Sequence, residues 1–412
     1  VGGGVVETLL GNMGVVADKT GLEIELTHVA EVKQVLLDEF DLTGVTVSND
    51  AALLIADPKV DAVCELIGGE EPAKTFILDA LNAGKHVVTA NKMLLAVHGP
   101  ELAAAAIANS VELRYEAAVA GAIPIIKAIR ESLASNHIQN LHGILNGTCN
   151  YILTRMAEEG LEFDPALQQA QDLGFAETPP DLDINGDDTA HKCAILASLC
   201  YSTKVSLGDV YTEGLTKITH LDVAYAKELG FLIKLLAVVR KIDGEIEARV
   251  HPALVPETHL LASVRREFNA IYVQSDIADA TLYYGRGAGR KPTASAVVAD
   301  LVDIARRGEG PPPPPFRYTH DIALRDIGLS RGRYYLRLTA EDHPGVLGQV
   351  CTILGKHGVS IASCIQKDRG LNTPAHVVMM THETVESSVM AALAEIDVLD
   401  FIDEETHVIR VY

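Results

Sequence analysis

The chain has 412 residues, 48% of them hydrophobic and 22% charged, and its 34 Lys and Arg against 56 Asp and Glu leave a formal charge of −22. That length suggests about two or three domains, and the balance is that of a soluble, acidic globular protein. The charge repels polyphosphate and no Lys/Arg stripe offsets it, which excludes nucleic acid as a partner. No apolar run reaches the roughly 18 residues of a membrane span and no signal peptide is legible, so the expected location is cytoplasmic, with no membrane partner. Cys64, Cys149, Cys193, Cys200, Cys351 and Cys364 are scattered without Cys-x-x-Cys spacing, which points to reduced thiols rather than a zinc site or a disulfide framework.

In chain order, Val1-Gly2-Gly3-Gly4-Val5-Val6 comes first, three glycines running into an amphipathic helix from Val5. It reads either as a glycine-rich loop or as the tail of a dinucleotide fingerprint, whose last glycine lets the helix pack closely while the helix N-terminus faces a pyrophosphate. In the second reading a strand and further glycines are expected ahead of Val1. Strands follow at 26–30, 62–67 and 86–89, alternating with helices at 51–55 and 73–83. Short apolar strands between helices predict an α/β layer with a parallel sheet. Gly68-Gly69 and Ala90-Asn91 fall just after strands, at the sheet edge where ligands bind. Thr89-Ala90-Asn91-Lys92 thereby sets a cation at that edge, against the plainer reading of Lys92 as a surface lysine. After the second strand, Glu31 suits a ribose diol and Lys33 a 2′-phosphate, and the two readings stay open.

Longer helices and amphipathic strands occupy 121–285. Asn146-Gly147-Thr148-Cys149-Asn150-Tyr151 is a turn into a helix, suited to lining a polar pocket, with Cys149 read as a packed thiol. The most unusual segment runs from Gly174 to Lys192, where Glu177, Asp181, Asp183, Asp187 and Asp188 precede a single lysine. An exposed acidic loop capping a helix is the plain reading, and the spacing does not match a calcium loop. The helical pattern over 188–201 puts Asp188 and Lys192, four apart, on one face. A lysine ammonium over a carbonyl donates a proton to a developing alkoxide while an aspartate orients it, and Glu177 and Asp183 suit a substrate ammonium. His191, about 100° around the helix from Lys192, is set aside as peripheral.

Gly285-Arg286-Gly287-Ala288-Gly289 reads as a turn before a helix at 293–306. Gly308-Glu309-Gly310 and the five prolines at 311–315 follow, read as a stiff extended linker and the clearest domain boundary. Beyond it, strands at 334–340, 359–366, 376–381 and 407–412 alternate with helices at 345–357 and 384–396. That order, βαββαβ in about 80 residues, is a ferredoxin-like unit.

Together Thr89-Ala90-Asn91-Lys92, Tyr115-Glu116-Ala117-Ala118-Val119-Ala120-Gly121, Asn146-Gly147-Thr148-Cys149-Asn150-Tyr151 and the stretch from Asp181-Leu182-Asp183 to Lys192 carry a resemblance over essentially the whole chain. It resembles the homoserine dehydrogenases, in their monofunctional bacterial form with a C-terminal ACT domain. The resemblance implies a Rossmann-type NAD(P)-binding domain at 1–120, to which the helix at 293–306 returns, and an α+β catalytic and dimerisation domain at 121–292. A Pro-rich linker at 307–330 and a ferredoxin-like ACT regulatory domain at 331–412 would complete it.

The implied reaction is reversible reduction of L-aspartate 4-semialdehyde to L-homoserine with NADPH or NADH, on the branch toward threonine and methionine. By motif position the resemblance makes Lys192 the proton donor with Asp188 as its partner, and gives Glu177 and Asp183 the amino-acid end of the substrate. Val1, Gly2, Gly68, Lys92 and Gly287 would contact NAD or NADP, and Glu116 with the backbone oxygens of Val119, Gly121 and Ile123 would hold a sodium ion. Glu341-Asp342-His343-Pro344-Gly345-Val346-Leu347 would be the strand-to-helix turn of the ACT domain, which implies threonine as feedback inhibitor; a dimerisation module without ligand is the other reading. A homodimer or homotetramer is implied.

Ala122 and Arg266 stand where the family commonly has glycine, and the run of five prolines is unusual for it. A non-catalytic amino-acid sensor carrying a degenerate dehydrogenase is the rival reading. The intact Glu177, Asp183, Asp188 and Lys192 set argues against it.

Overall fold

The computed structural model describes residues 1–307, 311–366 and 375–412, so Gly308-Glu309-Gly310 lie outside the described residues. The chain forms two compact units, one of Val1–Gly147, Ala190–Val210 and Phe268–Ile322, the other of Thr148–Thr189, Tyr211–Glu267 and Ala323–Tyr412.

The α/β layer lies in the first unit. Its parallel strands fall into two sheets, His28–Ala30 with Thr46–Ser48, and Ala62–Glu65, His86–Thr89 and Leu113–Arg114 in that order. Val87 and Val88 are fully buried, and the helices Ala73–Asn82 and Lys92–Ala108 contribute Ile77, Leu81, Leu94 and Leu102 to the apolar interior. Helix Gly2–Gly11 starts three residues before the apolar pattern indicates. It packs against helix Arg290–Arg306 through a cluster of Val5, Leu9, Val88, Ala294, Val297 and Leu301. Gly4 permits this approach, because a Cβ there would fall 2.5 Å from the carbonyl oxygen of Arg290. The helix at 290–306 also begins earlier than its pattern suggests, and Gly285 and Arg286, expected in a turn, end the strand Ala280–Arg286. That strand pairs antiparallel with Phe268–Ser275, which pairs on its other side with Ile138–Ile144.

The prolines form neither helix nor strand, and they are anchored rather than a free spacer. Arg130 Nη2 donates to the carbonyl of Pro314 at 3.1 Å and the Tyr115 hydroxyl to that of Pro315, while Phe316 stacks on Tyr115 with ring centroids 4.8 Å apart.

The second unit is organised by a long antiparallel hairpin, Phe231–Ile242 with Glu245–Pro256. Asp243-Gly244 turns it with φ of 53° and 88°, the two left-handed positions that a two-residue hairpin loop demands. Residues Tyr211–Thr212 pair parallel with Arg249–Val250. The ferredoxin-like region has its strands in the order His407–Val411, Arg331–Ala340, Ala375–Thr381, Ile361–Gln366, all antiparallel, with helices Val346–Lys356 and Glu386–Ile396. Thr384 and Val385, expected in the second helix, form a short strand instead. Tyr334, Leu336, Leu354, Met379, Val389 and Ile396 are core residues of this region. The strand His407–Val411 also pairs parallel with the hairpin, Arg410 opposite Ala253.

Candidate active site

In the first unit, two strand ends are tied together by a buried carboxylate. Glu65 closes the strand Ala62–Glu65 and is only 4% exposed. Its Oε1 accepts the N–H groups of Ile67 (2.8 Å) and Gly68 (3.3 Å), and its Oε2 accepts the Thr89 hydroxyl at 2.7 Å. Thr89 Oγ1 accepts the Asn91 N–H, and Asn91 in turn donates Nδ2 to Gly69 O at 2.7 Å and caps helix Lys92–Ala108 by accepting from Leu94. Gly68 and Lys92 are thereby held at neighbouring strand ends, on one rigid edge. Neither Glu65 nor Asn91 was expected in this role, although a carboxylate inside an otherwise apolar strand was the available signal.

The dinucleotide candidates fit an anionic ligand. Helix Gly2–Gly11 has no side-chain cap and no acidic residue in its first turn, so its leading N–H groups and dipole suit a pyrophosphate. Val1 and Gly2 open that helix. Gly287 lies against the loop at 120–123: a Cβ on Gly121, itself at φ 52°, would fall 2.5 Å from Gly287 O. Glu31 accepts the Lys33 N–H through Oε1 at 2.9 Å, a local turn that favours neither the diol nor the 2′-phosphate reading.

Glu116 is buried, and its two oxygens accept the N–H groups of Ile126 (2.9 Å) and Lys127 (2.8 Å). Its own N–H donates to Asp300 Oδ2 at 2.8 Å. Burial pushes the carboxyls of both Glu116 and Asp300 up to about 7 against the hydrogen bonds that lower them. Two neighbouring carboxyls desolvated together form a donor set that a cation would relieve. The Ile123 carbonyl already accepts from Ile125 N at 2.8 Å, so an ion there would share that oxygen. Ala122, outside the left-handed region, donates its N–H to Arg286 O at 3.1 Å, so alanine is sterically acceptable at that point. Asp300, on the buried face of its helix, had not been singled out. Among the described residues, no three His, Cys, Asp or Glu side chains converge as metal ligands.

Helix Asp187–Tyr201 carries Asp188 in its first turn and Lys192 one turn later. Lys192 is 8% exposed, and its Nζ donates to the carbonyl of Leu145 at 2.7 Å. A buried ammonium positioned by a backbone carbonyl is a suitable group for handing a proton to an oxygen. His191, the preceding residue on the same helix, is equally buried.

In the second unit, the turn after Gly147 holds the acidic segment. Thr148 Oγ1 donates to Phe175 O at 2.6 Å, the Tyr151 and Phe175 rings pack at 5.1 Å, and Cys149 Sγ donates to Asp183 O at 3.2 Å. Glu177 is exposed two residues beyond Phe175, and Asp183 lies half-buried in the short helix Asp181–Ile184. Cys149 is fully buried, a structural thiol as expected. The role of this motif as the scaffold of the acidic loop was not legible in advance. Behind it, Lys234 Nζ donates to Asn150 Oδ1 at 2.9 Å and to Val264 O, and burial pushes that ammonium down to about 7, aided by Arg265.

Comparison with known proteins places the chain in a family. Residues 1–116 match the family model described as the NAD-binding domain of homoserine dehydrogenase, 124–302 that of homoserine dehydrogenase, and 334–401 that of the ACT domain. The homoserine dehydrogenases of Neisseria gonorrhoeae and Pseudomonas aeruginosa are each 43% identical, over 100% of this chain and 96% of their own length. The crystal structure of a homoserine dehydrogenase from Thiobacillus denitrificans superposes with a TM-score of 0.94 at 42% identity, covering 100% of this chain and 96% of that one. That of Staphylococcus aureus gives 0.75 at 30% identity, covering 99% and 95%. The chain therefore belongs to the homoserine dehydrogenase family, as an oxidoreductase with a nicotinamide-nucleotide-binding domain and a C-terminal ACT domain.

Proposed function

We propose that this chain interconverts L-aspartate 4-semialdehyde and L-homoserine, with Lys192 as the proton donor in the reducing direction. The observation that carries this is the buried Lys192 ammonium fixed on Leu145 O, one helical turn after Asp188. When bound, NADPH or NADH supplies the hydride. Lys192 passes its proton to the aldehyde oxygen as negative charge develops there, and recovers one from the hydroxyl in the oxidising direction. Asp188 orients the ammonium toward that oxygen. Glu177 and Asp183 bind the substrate ammonium and so fix the reactive carbon, which lowers the entropic part of the barrier. Val1, Gly2, Gly68, Lys92 and Gly287 hold the nucleotide, with the dinucleotide domain assigned to 1–120 and the catalytic domain to 121–292.

A sodium ion bound by Glu116 and the carbonyls of Val119, Gly121 and Ile123 is a structural ion in this reading. The ACT domain, 331–412, binds threonine as feedback inhibitor, and the enzyme assembles as a homodimer or homotetramer. Following NADPH and NADH absorbance with aspartate semialdehyde tests the activity and the nucleotide preference together; no turnover with either nucleotide sinks the proposal. Titration with L-threonine tests the regulation, and absence of binding heat with an unchanged rate removes that part.

A further inference from the structure

We propose that Arg410, on the closing strand of the ACT domain, is a positioning residue for the substrate-binding turn Asp181–Ile184, acting through Glu213 and Gly214. The inference rests on the reading that Asp183 binds substrate.

Arg410 is 5% exposed, and its guanidinium is shared between two carboxylates. On one side Nε donates to Glu386 at 3.1 Å, and Glu386 is fixed within the ACT region by the Tyr334 hydroxyl at 2.8 Å. On the other side Nη1 donates to Glu213 Oε2 at 2.6 Å and Nη2 to the Tyr211 hydroxyl at 3.0 Å, with the guanidinium 5.0 Å from the Tyr211 ring centroid. A planar fork of fixed geometry therefore ties the last ACT strand to residues 211–213. Glu213 N also donates to Val250 O at 2.8 Å, which anchors that segment to the hairpin.

The next residue lies directly on the acidic loop. A Cβ on Gly214 would fall 2.1 Å from Ile184 O, so backbone rests on backbone, and Leu215 N donates to the same oxygen at 2.7 Å. Ile184 follows Asp183, whose own carbonyl accepts the Cys149 thiol. The Asp183 turn is thus gripped from one side by the Asn146–Tyr151 motif and from the other by 214–215, and Arg410 holds the latter. A contact of this precision at a binding carboxylate shows in substrate KM when its support loosens.

The test uses full-length enzyme in the homoserine-oxidising direction, with Arg410→Lys, Glu213→Gln, their double variant and Asp183→Ala as reference. Arg410→Lys and Glu213→Gln should each raise the homoserine KM about tenfold and leave the nucleotide KM within about twofold, with the double variant no worse than the weaker single. Glu213→Gln is isosteric and carries the test if Arg410→Lys fails to fold. A homoserine KM within about twofold of wild type in Glu213→Gln, while Asp183→Ala raises it, overturns the proposal, whatever happens to thermal stability. An unchanged KM in Asp183→Ala overturns the substrate assignment of the turn and the proposal with it, a result separable from the first.

Discussion

The Lys192 ammonium sits 2.7 Å from the carbonyl oxygen of Leu145, a partner that no side-chain substitution removes. The carbonyl fixes where the ammonium stands, whatever the neighbouring side chains are. Lys192→Ala should lower kcat by about 10²–10⁴-fold while nucleotide affinity changes little. Lys192→Arg should not rescue it, because a planar guanidinium neither fits the pinned position nor releases a proton readily. Steady-state rates and nucleotide binding on both variants decide this; near-normal turnover in Lys192→Ala removes the assignment.

Thr148 bridges the two motifs that the sequence presents separately, since its hydroxyl donates to Phe175 O at 2.6 Å, two residues before Glu177. Thr148→Val keeps the shape and deletes the donor, leaving a part-buried carbonyl without that bond at a cost of about 1 kcal/mol. The homoserine KM should rise about fivefold with the nucleotide KM unchanged. Equal changes in both constants would show that Thr148 supports the fold generally and not the acidic loop.

Much of this arrangement is readable from local pattern. The strand His86–Thr89, the helix carrying Lys192 and the βαββαβ order each follow from periodicity over one element, and the structure has all three. What pattern does not reveal is pairing at long range. Glu65 and Thr89 are 24 residues apart, and Tyr115 and Pro315 are 200 apart. Each partner alone is an ordinary residue for its element. The proline run shows the limit well: its composition dictates extended backbone, yet whether that backbone spans a gap or docks depends on Tyr115 and Arg130, far away in sequence.

Arg266 occupies the left-handed backbone region that favours glycine. It has φ 56°, while its N–H donates to Thr154 Oγ1 at 3.0 Å and its carbonyl accepts from Asn150 Nδ2 at 2.8 Å. Those two bonds hold a side-chain-bearing residue in the left-handed region, which costs about 1–2 kcal/mol. Arg266→Gly retains both backbone bonds and relieves the strain, partly offset by the greater freedom of glycine in the unfolded chain. The variant should be more stable by about 1 kcal/mol, read as a higher denaturant midpoint with unaltered kinetics. A lower midpoint would mean that the Arg266 side chain contributes more than its backbone costs.

Asp222 anchors the ACT region to the helix His220–Glu228 and gives the protein a defined acid sensitivity. It is fully buried and accepts Arg337 Nε at 2.6 Å, the Tyr335 hydroxyl at 3.1 Å and the Thr219 hydroxyl at 2.7 Å, with His407 Nδ1 at 3.2 Å. Burial alone would push this carboxyl up, but the bonds from His407, Arg337 and Thr219 outweigh it and hold it well below the usual carboxylate range. A carboxyl depressed on folding adds stability that is complete above its unfolded value near 4 and is lost as pH falls from there toward the folded value. Asp222→Asn leaves Arg337, 2% exposed, without its buried counter-charge and should cost about 3 kcal/mol at neutral pH. Urea unfolding of both proteins from neutral to acid pH should show that gap constant above about pH 5 and shrinking below about pH 4, because only the wild type loses a charge at this position. A gap that stays constant into acid would show that the ion pair is not what the substitution removes.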